Sequence, residues 1–138
     1  MKGLSDELMN DLAAAAREAA SRSHSPYSHF RVGAALLLSD GAIAVGTNVE
    51  NRSYGLTQCA ERTAVCAAMA QGRRDFRALY LYTPDAGAPV PPCGACRQVL
   101  SEFAGADFPV WYTADGTTVV KKTLGELYPF DSLHELGQ

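Results

Sequence analysis

The sequence predicts an α/β protein in three layers, a mixed central sheet with helices on both faces. Three observations carry that expectation. Helical segments and apolar β-leaning runs follow one another in the order α-β-β-α-β-α-β-β-α. Two Asp-Gly pairs, Asp40-Gly41 and Asp115-Gly116, stand between β-leaning runs, where they favour hairpin turns. The 138 residues, 47% hydrophobic and 20% charged, suffice for one core and fall short of two ordinary ones, so a single domain is expected over 1–138.

The first helix is read from Ser5 to about Ser23. Leu8, Met9, Leu12, Ala15, Ala16 and Ala19 recur at helical spacing, Ser5 suits the N-cap, and Asp6 and Glu7 suit the first turn. A loop, SHSPYS, leads to FRVGAALLL and AIAVGTNV, an antiparallel pair joined by SDG. CAERTAVCAAMAQ, residues 59–71, is an Ala-rich helix with apolar residues on almost every face, which implies burial, and Gly72 closes it. RALYLYT is the next strand and GACRQVLSEFA the next helix. FPVWYTA and TTVVKK are the last strands, and a short helix falls near Leu124 to Leu127. Segment 84–92, PDAGAPVPP, is expected to be the most flexible.

A net charge of -3 offers no basic face to a phosphate backbone, which argues against a long nucleic acid as partner. MKGLSDELMNDL has acids where a signal peptide has basic residues, and no run approaches the roughly eighteen apolar residues of a membrane span. No membrane association and a cytoplasmic location are therefore expected. Cys59, Cys66, Cys93 and Cys96 are too few and too unevenly placed for a secreted disulfide framework, which leaves metal binding or catalysis.

Cys59 and the Cys93/Cys96 pair each fall at the start of an expected helix, where free N–H groups and the helix dipole favour thiolates. If the two helices pack on one sheet with these ends together, three thiolates converge. Cys66 follows Cys59 by about two turns of one helix, ~10 Å along the axis, whereas thiolates sharing a zinc lie within about 4 Å of each other. Cys66 is therefore read as a small buried apolar residue. Three protein ligands and an open position suit a catalytic zinc, one per chain. A redox pair would follow the first strand of a βαβ unit, whereas this Cys-x-x-Cys comes late and after a proline. Glu61 is no capping-box residue, because Gln58 stands where Ser or Thr is needed. A carboxylate two residues from a metal ligand suits proton transfer. Cys-x-Glu followed by Pro-Cys-x-x-Cys is the zinc-deaminase pattern, with Cys in place of its first His.

Through PYSHFRVGAAL, NVEN, SYGLTQCAERTA and PCGACRQVLSEF the chain resembles the small zinc-dependent cytidine deaminases, the likeness weakening after about Phe108. The resemblance implies their α/β/α fold, a homotetramer whose sites are completed by neighbouring subunits, and conversion of cytidine or deoxycytidine to the uridine counterpart with release of ammonia. It implies zinc on Cys59, Cys93 and Cys96, with Glu61 as proton shuttle. It also implies Asn48 and Glu50 on a ribose hydroxyl, and Phe30 and Ala60 against the nucleoside. Taken alone, Asn48 and Glu50 would read as a turn residue and a solvated acid. Arg62 and Arg97, each beside a motif residue, are expected to donate hydrogen bonds to thiolate sulfurs and offset their charge. Arg52, Tyr54 and Phe130 would reach a neighbouring subunit's substrate. Arg52 stands where the family has a small residue and would suit a 5′-phosphate, although an arginine at a subunit interface is the plainer reading.

Two rivals remain. A deaminase of another aminopyrimidine, of the blasticidin S type or acting on a 5′-modified cytidine, would share the zinc core, but the blasticidin type lacks the NVEN grip. A non-catalytic structural-zinc module would need Cys66 as fourth ligand and would dispense with Glu61.

Overall fold

Residues 3–133 are described in a computed structural model; 1–2 and 134–138 of the expected domain lie outside them. The elements keep the expected order: α1 (Asp6–Ala20), β1 (Gly33–Leu38), β2 (Ile43–Thr47), α2 (Ala60–Ala70), β3 (Phe76–Tyr82), α3 (Gly94–Phe103), β4 (Pro109–Thr113), β5 (Val119–Thr123) and α4 (Leu124–Leu127). A 3-10 turn at Tyr54–Leu56 is an addition that the sequence pattern did not announce.

The strands pair in the order β2-β1-β3-β4-β5. β3 and β4 run parallel and the other neighbours antiparallel, so the sheet is mixed. A parallel pair needs a crossover, and α3 supplies it. β1 shows how the layers arise, because all of its residues are buried and alternate side chains point to opposite faces. Ala35 and Leu37 join Leu12 and Ala16 of α1 with Tyr80 and Trp111. Leu36 and Leu38 join Ala64 and Ala68 of α2 with Leu79, Leu81 and Val110 on the other face. Each fully buried leucine contributes about 1.5–3 kcal/mol.

Both Asp-Gly pairs make their turns, with Gly41 at φ 90° and Gly116 at φ 84°. Asp115 Oδ1 accepts from the backbone N–H of Thr117 and Thr118, each at 2.8 Å, which fixes the second turn. Two expectations need correction. α1 stops at Ala20, short of Ser23, because the backbone beyond it pairs elsewhere: His24 N donates to Asn48 O at 3.1 Å and Glu50 N donates to His24 O at 2.8 Å. α2 is covered on one side only, with Ala60, Ala64 and Ala68 buried and Cys66 exposed. Alanine and cysteine are small enough to sit on either face, so their pattern did not mark the open one.

Gly46 lets α2 lie against the sheet. A Cβ there would stand 2.2 Å from Ala60 O and 2.4 Å from Ala64 N, both backbone atoms that cannot give way. Gly46→Ala is expected to lower the unfolding free energy by about 1–3 kcal/mol through overpacking. Urea titration should show a lower midpoint at unchanged slope, and an unmoved midpoint would refute the close contact.

Candidate active site

Cys59 is the N-cap of α2, Cys93 the N-cap of α3, and Cys96 lies in the first turn of α3. Neither capping thiol bonds to its own helix backbone, so both sulfurs are free to point toward each other. The three sulfurs lie within 4.8 Å of one another, and Cys59 and Cys93 are 3.7 Å apart. A tetrahedral zinc with Zn–S bonds of about 2.3 Å holds its sulfurs about 3.8 Å apart, so donor chemistry and spacing fit one Zn²⁺.

Charge at the cluster is unevenly held. The Cys59 thiol is drawn down to about 5, first by its hydrogen bond with Cys96 and then by Arg62, against the opposing effect of burial. Arg62 Nη2 donates to Cys59 Sγ at 3.2 Å, while its Nε is buried without an acceptor among the described residues. The Cys96 thiol is pushed up by that same bond with Cys59 and by burial, so Cys59 ionises first. Glu61 is only 6% exposed. Burial pushes its carboxyl up to about 7, with the charge on Cys59 acting in the same direction.

A cleft of about 370 Å³ opens beside the thiols, and Phe30, Asn48, Glu50, Cys59, Ala60 and Glu61 all line it. Asn48 is buried and tied in: Oδ1 accepts from Val32 N at 2.9 Å and from Ser23 Oγ at 2.5 Å, and Nδ2 donates to Phe30 O at 2.7 Å. Glu50 Oε1 accepts from the N–H of Tyr27 at 3.0 Å and of Ser28 at 3.2 Å, and Oε2 accepts from Ser28 Oγ. The Ser28 hydroxyl, followed by the two backbone N–H groups, holds the Glu50 carboxyl below its usual range.

The structure corrects two site expectations. Arg97 does not reach a sulfur. Its Nε donates to Pro92 O at 2.8 Å and its Nη1 to Leu127 O at 2.7 Å, because these two carbonyls fall within reach of its planar fork. Cys66 is exposed rather than buried, and it lies outside the three-thiol cluster, so the four-cysteine structural module loses its fourth ligand. Arg52, Tyr54 and Phe130 are not among the residues that line the cleft of their own chain, although Tyr54 lines an adjoining hollow that shares Ser28, Glu50 and Thr57 with it. Tyr54 packs edge-on to Tyr27 with centroids 5.7 Å apart, and Phe130 is 90% exposed beside a groove that shares no lining residue with the cleft. Ser28, Thr83, Val90 and Pro91 also line the cleft and were missed by sequence reasoning. The Pro-rich run before Cys93 was the one signal that would have found two of them.

A family model described as the cytidine and deoxycytidylate deaminase zinc-binding region matches residues 6–111. The chain is 51% identical over 104 residues to a cytidine deaminase of Halalkalibacterium halodurans, covering 75% of this chain and 78% of that one. It is 45% identical over 118 residues to a cytidine deaminase of Sporosarcina psychrophila, covering 86% of each. The crystal structure of a cytidine deaminase from Burkholderia pseudomallei is similar at TM-score 0.84 and 41% identity, over 91% of this chain and 98% of that one. No described helix is long and apolar enough to cross a membrane.

Purified chain is expected to carry one zinc, to keep it in Cys66→Ala, and to lose it in Cys93→Ala or Cys96→Ala. Metal analysis after desalting measures this, and zinc loss from folded Cys66→Ala would sink the three-thiol centre.

Proposed function

The chain belongs to the cytidine and deoxycytidylate deaminase zinc-binding family, and on that premise we propose that it hydrolyses cytidine or deoxycytidine to the uridine counterpart, releasing ammonia. The observation that carries the proposal is the buried Glu61 carboxyl, two residues from a thiolate and lining the same cleft. Zinc held by Cys59, Cys93 and Cys96 supplies Lewis acidity that makes a water molecule more acidic.

The residues do the rest. Hydrolysis adds oxygen to the amine-bearing carbon and breaks its bond to nitrogen, so protons travel from water to the ring nitrogen and then to the departing amine. A carboxyl raised to about 7 exchanges protons readily at neutral pH, and Glu61 serves as base and then as acid. Phe30 and Val90 offer apolar walls to a planar base.

Asn48 and Glu50 suit a sugar hydroxyl by what they have left over. An amide has two N–H donors, and Asn48 uses one on Phe30 O. A carboxylate has about four acceptor positions, of which Glu50 fills three with Tyr27 and Ser28. One donor and one acceptor remain, the complement of a hydroxyl. We extend the proposal to a homotetramer in the cytoplasm, in which Tyr54, Arg52 and Phe130 meet a neighbour's site. The exposed Tyr54, Leu56 and Phe130 side chains support such an interface, and the free thiols support a reducing compartment.

Glu61→Gln is expected to keep zinc and nucleoside binding while turnover falls by about 10²–10⁴. An ammonia-release assay with cytidine tests it, and near-normal activity would remove Glu61 from the chemistry. For Arg52→Ala the expected result is an equal change in kcat/KM for cytidine and CMP, with a shift toward smaller oligomers on sizing chromatography. A loss confined to CMP would instead assign Arg52 to a 5′-anion.

A further inference from the structure

Segment 84–92 walls the cleft through Val90 and Pro91 and runs directly into the ligand Cys93. Segment 28–32 walls it through Ser28, Phe30 and Val32. Both segments lie beyond the end of the sheet, where the β1–β3 ladder finishes at the Gly33–Tyr82 rung. Past that rung Arg31 and Asp85 join the two segments.

Asp85 Oδ2 accepts from the backbone N–H of Arg31 at 2.8 Å and from Nε at 3.0 Å, and Oδ1 accepts from Nη2 at 2.7 Å. This is a planar fork on a carboxylate with a backbone amide added, a geometry that fixes distance and direction together. The Arg31 side chain is 50% exposed and that of Asp85 27%, so the pair contributes little to global stability. Its effect is local. Ala86 N donates to Thr83 O at 3.1 Å and closes a turn at the same place, while Arg97 fixes Pro92 at the far end of the loop. The segment that composition marks as flexible is thus anchored at both ends.

We propose that Arg31 and Asp85 form a positioning clamp that holds the Phe30 wall and the Val90–Pro91 wall at the separation a nucleoside needs. The inference rests on the deaminase reading and adds to it a determinant of affinity outside the reacting groups. Neither residue lines the cleft, so both act through the walls they hold. Asp85→Ala removes three hydrogen bonds and Arg31→Ala two, because the amide at position 31 survives substitution. The expected order of effects follows from that difference.

The test uses the zinc-loaded full chain. Asp85→Ala is expected to raise KM for cytidine by about tenfold and Arg31→Ala by about fivefold, with kcat changed less than about twofold and zinc content unchanged. The double variant should be no worse than Asp85→Ala, since the two residues act as one unit. Arg31→Lys, which keeps the charge and loses the fork, should fall between parent and Arg31→Ala. In the Glu61→Gln background the dissociation constant for cytidine, measured by calorimetry, should rise in parallel with KM. An unchanged KM, multiplicative effects in the double variant, a loss confined to kcat, or zinc loss in the single variants would each overturn the clamp. A parent chain that binds cytidine without releasing ammonia would overturn the deaminase reading alone, with the calorimetric series still deciding the clamp. A parent that does neither overturns both.

Discussion

The contact between Gly46 and the first turn of α2 sets where Cys59 stands, and the rest of the site follows from that position. Because residue 46 has no Cβ, Ala60 and Ala64 lie directly against β2. The start of α2 is thereby fixed to the sheet, near the place where the chain leaves the carboxyl end of β3 on its way through α3 to β4. Parallel strands with a helical crossover leave a crevice at their carboxyl ends, and here two helix N-termini face into it. Cys59 and Cys93 cap those helices and meet at 3.7 Å. Glu61 and Arg62 follow Cys59 on the same turn, so the docking that places the first ligand also buries the carboxyl and brings a guanidinium to its sulfur.

Two opposing electrostatic effects then share the crevice. The hydrogen bond from Cys96, and after it Arg62, favour the Cys59 thiolate, which is why its thiol is drawn down to about 5. Burial disfavours a second anion alongside it, and Glu61 is pushed up from 4.5 to about 7. A displacement of that size corresponds to roughly 3 kcal/mol against the ionised carboxyl. Neither effect cancels the other, because they act on different groups. The thiolate is available as a soft donor, and the carboxyl holds a proton it readily gives up near neutrality. A more exposed glutamate at position 61 would keep an ordinary carboxylate pKa and would be a weaker base toward water.

Much of the fold was legible because its signals are local. The apolar runs of β1 and β3, both Asp-Gly turns and the Ser5 cap all appear where the sequence put them. The end of α1 was not legible, since it depends on His24 pairing with residues 48–50, a contact across the chain that leaves no local trace. The three-thiol cluster was legible from motif and helix geometry together. Cys66 was placed correctly outside the three-thiol cluster and wrongly with respect to solvent, because axial separation along a helix is fixed by sequence whereas the open face depends on what packs there. Arg97 failed for a related reason. Adjacency to Cys96 puts its Cα near the cluster, but the guanidinium went to carbonyls of Pro92 and Leu127, one of them on α4. Ser28, Val90 and Pro91 sit on loops that meet only in three dimensions.

Asn48 and Glu50 bring the two descriptions of a residue together. Read singly, they are a turn amide and a solvated acid; in the fold, the amide ties Ser23, Phe30 and Val32, and the acid ties Tyr27 and Ser28. These are structural duties, yet they are what makes the residues useful for binding. Every bond to the backbone removes a rotamer, so the remaining N–H of Asn48 and the remaining lone pair of Glu50 are held in place before any ligand arrives. A group fixed in advance loses little entropy on binding. It also discriminates strongly, because a ligand lacking the hydroxyl would leave a largely buried donor and an oriented acceptor unpaired, and such groups are costly to strand. Preference for a sugar-bearing pyrimidine over the free base therefore follows from the same hydrogen bonds that hold the 23–32 segment against residues 48–50.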